Sequence, residues 1–300
     1  MTNNSITPGS VVVGYSGERD AEDALTWAAE QAAAENRPLA IVHVLEPVGG
    51  FATSSLAAAY MVLDDIEDAV VQGGRAILAG GAAHLNDRFA NLDVRLHLFH
   101  GAPERVLREA GEHAAMVVVG SRGRGRLATA LLGSVSVSVA SNAPCPVVVV
   151  RPFHHGKVRN GVLVGTDCGK HTRSTLEFAY REASLRQLPL TVVHSVQSVF
   201  LEGVVDADTA GDAFEEHRRE LAEAVAGLAE KFPEVPVRTR LAAGPPDRWL
   251  VSQSESMNLV VLGHHRRGGL ADRLAIGSYA PMVVERAACP VAVVFEAPSA

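Results

Sequence analysis

The chain has 300 residues, of which 47% are hydrophobic, and a formal net charge of −7. This length suffices for two domains of about 150 residues, each able to bury roughly 70% of its unfolded surface. The negative charge disfavours nucleic acid and anionic membranes as partners, because both attract a positive protein field.

The cysteines and the polar start of the chain predict a cytoplasmic protein. Cys145, Cys168 and Cys289 are an odd number at unrelated spacings, which favours reduced thiols over a disulfide framework. Residues 1–10 contain no basic region followed by an apolar stretch, and no run of about 18 apolar residues occurs in the chain. We therefore expect no membrane association.

Short β-branched runs alternate with longer segments of helical period in the first half of the chain. The runs predicted to be strands are residues 10–13, 39–44, 94–99, 116–119 and 146–150. Between the first two runs, residues 20–35 place Ala24, Leu25, Ala28 and Ala32 at helical spacing. This alternation predicts a parallel sheet covered by helices on both faces, with right-handed crossovers.

The second half of the chain repeats this pattern. Val11-Val12-Val13-Gly14 matches Val162-Leu163-Val164-Gly165 at an offset of 151 residues, counted from Val11 to Val162. Cys145-Pro146-Val147 matches Cys289-Pro290-Val291 at an offset of 144, counted from Cys145 to Cys289. A repeat of this size predicts two tandem α/β domains, residues 1–151 and 161–300, joined by a polar linker over residues 152–160.

A glycine-hinged loop follows the fourth predicted strand. It reads Gly120-Ser121-Arg122-Gly123, then nine residues, then Gly133-Ser134, and leads into helix-like sequence over residues 135–140. Glycines let the backbone approach an anion closely, and a helix start offers unpaired N–H groups with roughly half a positive charge. The loop therefore predicts a nucleotide phosphate site at the carboxyl end of the sheet. The alternative is a loop whose glycines serve only tight turns.

On these residues the chain resembles the universal stress protein family in its tandem two-domain form. The resemblance lies in the glycine turn after the first strand, His43-Val44 at the end of the second, the spaced glycine loop and the closing Cys-Pro-Val strand. It implies two Rossmann-like, doubly wound parallel sheets, each with strand order 3-2-1-4-5, that pair through their fifth strands. It also implies ATP as the ligand of members with an intact loop, while Mg²⁺ and homodimer formation are left open.

The resemblance assigns the nucleotide contacts to the first domain. Gly120 and Gly123 would lie near the ribose and the α-phosphate. The β- and γ-phosphates would be held by Gly133, Ser134 and Ser136.

Nucleotide contacts are expected with less support at two further positions, Val44 and Ser16. Val44 would contact adenine through its backbone, although ordinary strand packing is an equal alternative. Ser16 stands where ATP-binding relatives usually carry an aspartate after the first strand. A serine can accept one hydrogen bond, but it has neither the charge nor the bidentate reach of a carboxylate.

The second domain keeps the aspartate that the first domain lacks, but its glycine loop departs from the family pattern. It keeps Asp167 in Gly165-Thr166-Asp167-Cys168, but Arg266 stands where the second loop glycine belongs, and Gly277-Ser278 falls one residue late. An arginine side chain would stand where a phosphate should approach. We therefore expect weak or no nucleotide binding by this domain, and Asp167 is better interpreted as a turn-capping residue.

The motifs of a fast enzyme are missing from the sequence. Neither G-x-x-x-x-G-K-[ST] nor G-x-S-x-G occurs. The adjacent pairs His154-His155 and His264-His265 have diverging side chains, unlike the i, i+4 spacing that points two imidazoles at one ion, so we predict no metal site. The leading hypothesis is an ATP-binding regulatory protein of the stress response, at most a slow ATPase. The alternative is an interaction scaffold whose two clefts have both degenerated.

Overall fold

The computed structural model describes residues 5–46, 56–121, 132–151, 160–169, 172–196, 203–206, 214–265 and 279–296. The chain divides into two compact units. One comprises Met1–Leu127 with Gly133–Cys145, and the other comprises Ala128–Leu132 with Pro146–Ala300. Of the predicted linker, residues 152–159 lie outside the described residues.

The first unit is a parallel sheet with helices packed on it. Its strands are β1 (Val11–Gly14), β2 (Leu39–Leu45), β3 (Val94–His100) and β4 (Met116–Gly120), in the spatial order β3-β2-β1-β4. Its helices are α1 (Arg19–Ala34), α2 (Leu56–Asn86), α3 (Pro103–Ala110) and α4 (Ser134–Asn142). All pairings within this set of strands are parallel.

The second unit repeats this four-strand plan and has three further strands, two at one edge of the sheet and one at the other. Its strands are β5 (Val147–Val150), β6 (Val162–Thr166), β7 (Leu190–Val196), β8 (Gly203–Asp206), β9 (Val237–Ala243), β10 (Leu259–His265) and β11 (Val291–Glu296). Their spatial order is β5-β11-β10-β6-β7-β9-β8. The helices are α5 (Thr172–Arg186), α6 (Glu215–Lys231), α7 (Pro246–Ser254) and α8 (Tyr279–Arg286).

The α/β fold predicted from the sequence is confirmed. The five predicted strands of the first repeat agree with β1 to β5 to within one residue at each end. In the second repeat the mostly parallel sheet carries one strand that the sequence analysis did not predict, β8, which pairs antiparallel with β9. Within the described part of the chain, no helix combines the length and the apolar character needed to span a bilayer.

The strands form the core because their side chains are apolar on both faces of the sheet. Val11, Val12 and Val13 of β1 are all fully buried, as required when helices cover both faces of a parallel sheet. Gly14, which ends β1, has no room for a side chain, since an ideal Cβ atom would lie 2.9 Å from Cδ1 of Leu107 in α3. This close approach packs α3 against the end of β1, beside the site described below.

His97 places a titratable ring in the buried part of β3. Its side chain is 6% exposed, and its ring stacks on Phe99 with the centroids 6.2 Å apart. Its Nε2 atom has no hydrogen-bond partner among the described residues. Burial, and to a lesser extent the charge of Arg95, lowers the pKa of His97 below its ordinary value.

We expect the free energy of unfolding to fall as the pH is lowered through about 6.5, the ordinary pKa of histidine. Below that pH the unfolded chain binds a proton that the folded His97 resists, so acid favours the unfolded state. His97→Phe keeps the stacked ring and should reduce this dependence in urea unfolding between about pH 5 and pH 8. His113→Gln, at an exposed position, is the control. Identical pH profiles for H97F and the parent protein would contradict the assignment.

Candidate functional site

The carboxyl end of β1 leads into a tight turn before α1. Gly17 has a φ of +80°, in the left-handed region that favours glycine. The hydroxyl oxygen of Ser16 accepts a hydrogen bond from the N–H of Glu18 at 3.4 Å. Ser16 therefore stabilises the turn locally, at the position where the resemblance implies an acidic residue.

His43 ties β2 to the same turn. Its Nδ1 atom lies 2.7 Å from the carbonyl oxygen of Tyr15, and its side chain is 2% exposed. Because a carbonyl oxygen only accepts, Nδ1 of His43 carries a proton. Val44, the next residue, is half-buried and lies opposite Phe99 of β3. The structure thus places Val44 at the carboxyl end of β2, on the same edge of the sheet as Ser16.

The turn after β1 and the loop after β4 leave the sheet side by side. β1 and β4 are parallel neighbours, with Val13 opposite Val118. β2 lies on the other side of β1, so the order of the strands reverses between β1 and β4. In doubly wound sheets this reversal opens the crevice in which ligands bind. Ser16 and Gly120 therefore flank the expected crevice.

Two hydrogen bonds fix the start of α4 against the end of β4. The N–H of Gly133 donates to the carbonyl oxygen of Ser121 at 2.9 Å. The hydroxyl of Ser136 donates to the carbonyl oxygen of Gly120 at 2.6 Å. Two of the groups expected to hold phosphate, the Gly133 N–H and the Ser136 hydroxyl, are thus engaged within the protein. Gly123 lies outside the described residues.

The first turn of α4 keeps three N–H groups that donate to no described residue. They belong to Ser134, Val135 and Ser136, because the first helical bond runs from the N–H of Val137 to the carbonyl of Gly133 at 3.1 Å. The cap residue Gly133 has no side chain that could accept from them. These amides, with the partial positive charge of the helix start, favour an anion.

Ser121 is a candidate site residue that the sequence analysis did not single out. Its side chain is 2% exposed, and its hydroxyl has no hydrogen-bond partner among the described residues. A buried polar group without a partner costs about 1–3 kcal/mol, so it marks a place where a ligand or a water molecule belongs. The backbone carbonyl of Ser121 binds the Gly133 N–H, which places the residue next to the start of α4.

The second unit repeats the histidine contact but not the chemistry of the turn. Nδ1 of His194 lies 3.1 Å from the carbonyl oxygen of Thr166. Oδ1 of Asp167 accepts from the N–H of Gly169 at 2.8 Å and from the hydroxyl of Thr172 at 3.5 Å. Asp167 thus caps its own turn, as the sequence analysis favoured. Arg266, Gly277 and Ser278 lie outside the described residues.

The family model described as "Universal stress protein family" matches residues 9–151 and 159–294, which is nearly the whole chain. The chain belongs to the universal stress protein family. Its relatives include a universal stress protein of Mycobacterium tuberculosis, 35% identical over 292 residues that cover 94% of this chain and 96% of the relative. Another, from Mycolicibacterium smegmatis, is 33% identical over 305 residues and covers 97% and 98%.

A solved structure supports the same fold over the full length. The crystal structure of a universal stress protein from Archaeoglobus fulgidus matches with a TM-score of 0.68 and 17% identity, covering 98% of both chains. At this identity the likeness establishes the fold alone. Two universal stress domains in tandem, as the sequence analysis inferred, are therefore confirmed.

Among the described residues, the buried Cys145 and the half-buried Cys168 are thiols that no neighbouring group activates. Burial raises the pKa of Cys145 to about 12. Burial also raises the pKa of Cys168 to about 12, although a hydrogen bond with Thr166 opposes the shift. Both side chains are therefore neutral thiols near neutral pH, and neither has thiolate character.

Proposed function

We propose that this universal stress protein binds an adenine nucleotide, with ATP as the expected ligand, in its first repeat. The observation that carries the proposal is the set of N–H groups of Ser134, Val135 and Ser136, free of described acceptors, next to the buried hydroxyl of Ser121. A polyphosphate supplies acceptor oxygens and negative charge to both features. Both features lie where the strand order reverses, the usual place of a ligand in such sheets.

The α-phosphate, the ribose and adenine would lie along the carboxyl ends of the strands, next to the terminal phosphates. Gly120 and Gly123 would face the ribose and the α-phosphate, and the backbone of Val44 would contact adenine. Ser134 and Ser136 would hold the terminal phosphates through their amides, because the Ser136 hydroxyl is already bound to Gly120. Gly133 would serve as the flexible cap that lets the phosphates approach, since its own N–H is engaged.

We further propose that nucleotide binding is regulatory and that the protein works in the cytoplasm. A regulatory role requires that ATP bind two states of the protein with different affinity. The sequence lacks the G-x-x-x-x-G-K-[ST] loop that supports rapid phosphoryl transfer, so at most slow ATP turnover is expected. An assay of phosphate release should therefore give rates far below those of ordinary enzymes, which turn over about 10 times per second.

Mass spectrometry and calorimetry test the proposal directly. The freshly purified full chain is denatured, and the released small molecules are identified by mass. Nucleotide-free protein is then titrated with ATP, with and without Mg²⁺, and with GTP as a comparison. We expect one adenine nucleotide per chain and a measurable heat with ATP. Absence of any adenine nucleotide in the extract, together with no heat on adding ATP, would overturn the proposal.

Ser16→Asp should strengthen ATP binding about tenfold, equivalent to about 1.4 kcal/mol. A carboxylate adds charge and a second acceptor at the position that the resemblance places near the nucleotide, and charge-assisted hydrogen bonds are roughly twice as strong as neutral ones. Ser16→Asn is the matched control, because it brings the same size without the charge. Calorimetric titration of the three proteins measures the effect. If S16D and S16N bind ATP with equal affinity, the charge of the carboxylate does not strengthen binding.

A second candidate function is an interaction scaffold that binds no nucleotide. It is favoured by the engaged groups of Gly133 and Ser136 and by the lack of a charged residue at Ser16. In either case we propose that the two repeats pair through their fifth strands. The antiparallel register of β5 and β11, with Val291 opposite Val149, supports this pairing. Sedimentation of the full chain tests whether a homodimer forms as well.

A further inference from the structure

Two histidines and a glutamate meet at the carboxyl end of β7 in the second unit. His194 lies on β7, while His217 and Glu220 lie near the start of α6. Each of the three offers one ligand atom, and these atoms lie within 4.8 Å of one another. The two imidazole rings have centroids 5.3 Å apart, and Nδ1 of His217 lies 3.3 Å from Oε2 of Glu220.

His194 is oriented as a metal-binding histidine is. Its Nδ1–H donates to the carbonyl oxygen of Thr166 at 3.1 Å, and the side chain is 6% exposed. In the neutral ring this bond leaves the lone pair of Nε2 available, and a backbone carbonyl is one of the usual partners that orient a ligating imidazole. The carboxylates of Asp167 and Glu220 are close enough for their charges to act on His194. With His217 neutral, as a ligand must be, these two carboxylates favour a cation.

The first repeat has the same oriented histidine without the other two ligands. His43 makes the matching contact with the carbonyl of Tyr15. The strands β9 and β3, which follow the helices concerned, begin at Val237 and Val94, an offset of 143 residues. At this offset Gly74 is equivalent to His217, and an ideal Cβ atom on Gly74 would lie 3.3 Å from Cδ2 of the His43 ring. Glu220 corresponds to Ile77 at the same offset. The second repeat thus carries metal-binding side chains where the first has a glycine and an aliphatic residue.

We propose that His194, His217 and Glu220 bind a Zn²⁺ ion in the second repeat. Two imidazole nitrogens and one carboxylate oxygen are an established zinc ligand set, with bond lengths of about 2.0–2.2 Å. Ligand atoms around tetrahedral zinc are about 3.4 Å apart by that geometry. The half-buried His217 and the exposed Glu220 can close the present separation by side-chain rotation. The fourth position is left to water.

This site lies in the repeat for which no nucleotide is proposed, so the inference is independent of the proposed function. It also gives the carboxyl end of the first strand a different use in each repeat. In the first repeat the turn after β1 borders the proposed phosphate site, whereas in the second repeat Thr166, the last residue of β6, supplies the carbonyl that orients a ligand.

Titration of the metal-free, nucleotide-free full chain with ZnCl₂ tests the proposal by calorimetry. We expect one saturable Zn²⁺ site per chain. Loss of an outer-shell partner alone costs about 10- to 100-fold in metal affinity, so His217→Gln and Glu220→Gln, which remove ligands, should each weaken binding by about 100-fold. His113→Gln, at an exposed position in the first unit, is the control for adventitious binding by surface histidines.

Co²⁺ provides a second readout that depends on coordination. Full chain loaded with one equivalent of Co²⁺ should show the visible absorption of a four- or five-coordinate ion, and both ligand variants should lose it, whereas H113Q should keep it. The absence of a saturable one-to-one site in the parent protein would overturn the proposal. Undiminished Zn²⁺ binding in either H217Q or E220Q would overturn it as well.

Discussion

Replacing Ser134 by proline should weaken ATP binding by about 10- to 150-fold while leaving the fold intact. Ser134 is the first residue of α4, and proline is favoured at that position because its missing N–H has no helical acceptor. Gly133, with φ −64° and ψ 145°, already has the extended conformation that a residue before proline prefers. The substitution therefore removes one phosphate donor without breaking the helix.

The expected size follows from the strength of one hydrogen bond to a charged acceptor. Such a bond contributes about 1.5–3 kcal/mol, which corresponds to about 10- to 150-fold in affinity. Ser134→Ala is the matched control, since it removes the exposed hydroxyl and keeps the amide. Calorimetry with ATP gives the affinities, and urea unfolding verifies that both variants are folded. If S134P binds ATP as tightly as S134A, the start of α4 does not contact the phosphates.

The strands could be predicted from the sequence because their apolar runs are continuous. A run such as Met116-Val117-Val118-Val119 has no polar face to leave in water, and its shortness and β-branched residues favour a strand covered on both sides. β8 was not predicted, because its formation does not depend on a continuous apolar run. It is a four-residue strand at the edge of its sheet, and it forms by pairing with β9, a long-range contact that no local pattern encodes.

The sequence predicted the position of the loop that forms the candidate site. It did not predict which hydrogen-bond donors of that loop are free to bind a ligand. Glycine spacing indicated that the backbone between Gly120 and Ser134 turns toward a helix start. It carried no information on which groups the protein itself would use. The bonds from Gly133 and Ser136 to the end of β4, and the buried hydroxyl of Ser121, are tertiary contacts. They depend on how α4 packs on the sheet.

The proposed zinc ligands could not be predicted from histidine spacing, because His194 and His217 are far apart in the sequence. His217 and Glu220 are three residues apart on α6, which alone is a common surface ion pair. Only the fold brings His194, on another element, to the same place. Comparison of the two repeats would have given a signal, since His217 replaces Gly74 and Glu220 replaces Ile77 at equivalent positions.

Gly161→Ala should destabilise the second unit by about 3 kcal/mol or more, a large part of the about 5–15 kcal/mol by which domains are stable. Gly161 precedes β6 with a φ of +151°, and an ideal Cβ atom would lie 2.5 Å from the backbone oxygen of Pro189. The residue is also held on both sides, because its carbonyl accepts from the N–H of Asn258 at 2.8 Å and its N–H donates to the Asn258 side chain at 3.3 Å. The backbone therefore cannot move away from the clash without losing these bonds.

Gly227→Ala is the matched control in the same unit. Gly227 lies within α6 with no atom within 4 Å of an added Cβ, so alanine there should stabilise the protein by about 1 kcal/mol through its higher helix propensity. Urea unfolding of G161A, G227A and the parent protein measures both effects. The opposite signs separate backbone clash from any general effect of replacing glycine. A G161A variant as stable as the parent would mean that the chain before β6 adopts another path, and the alignment of β6 with its neighbours would then need to be revised.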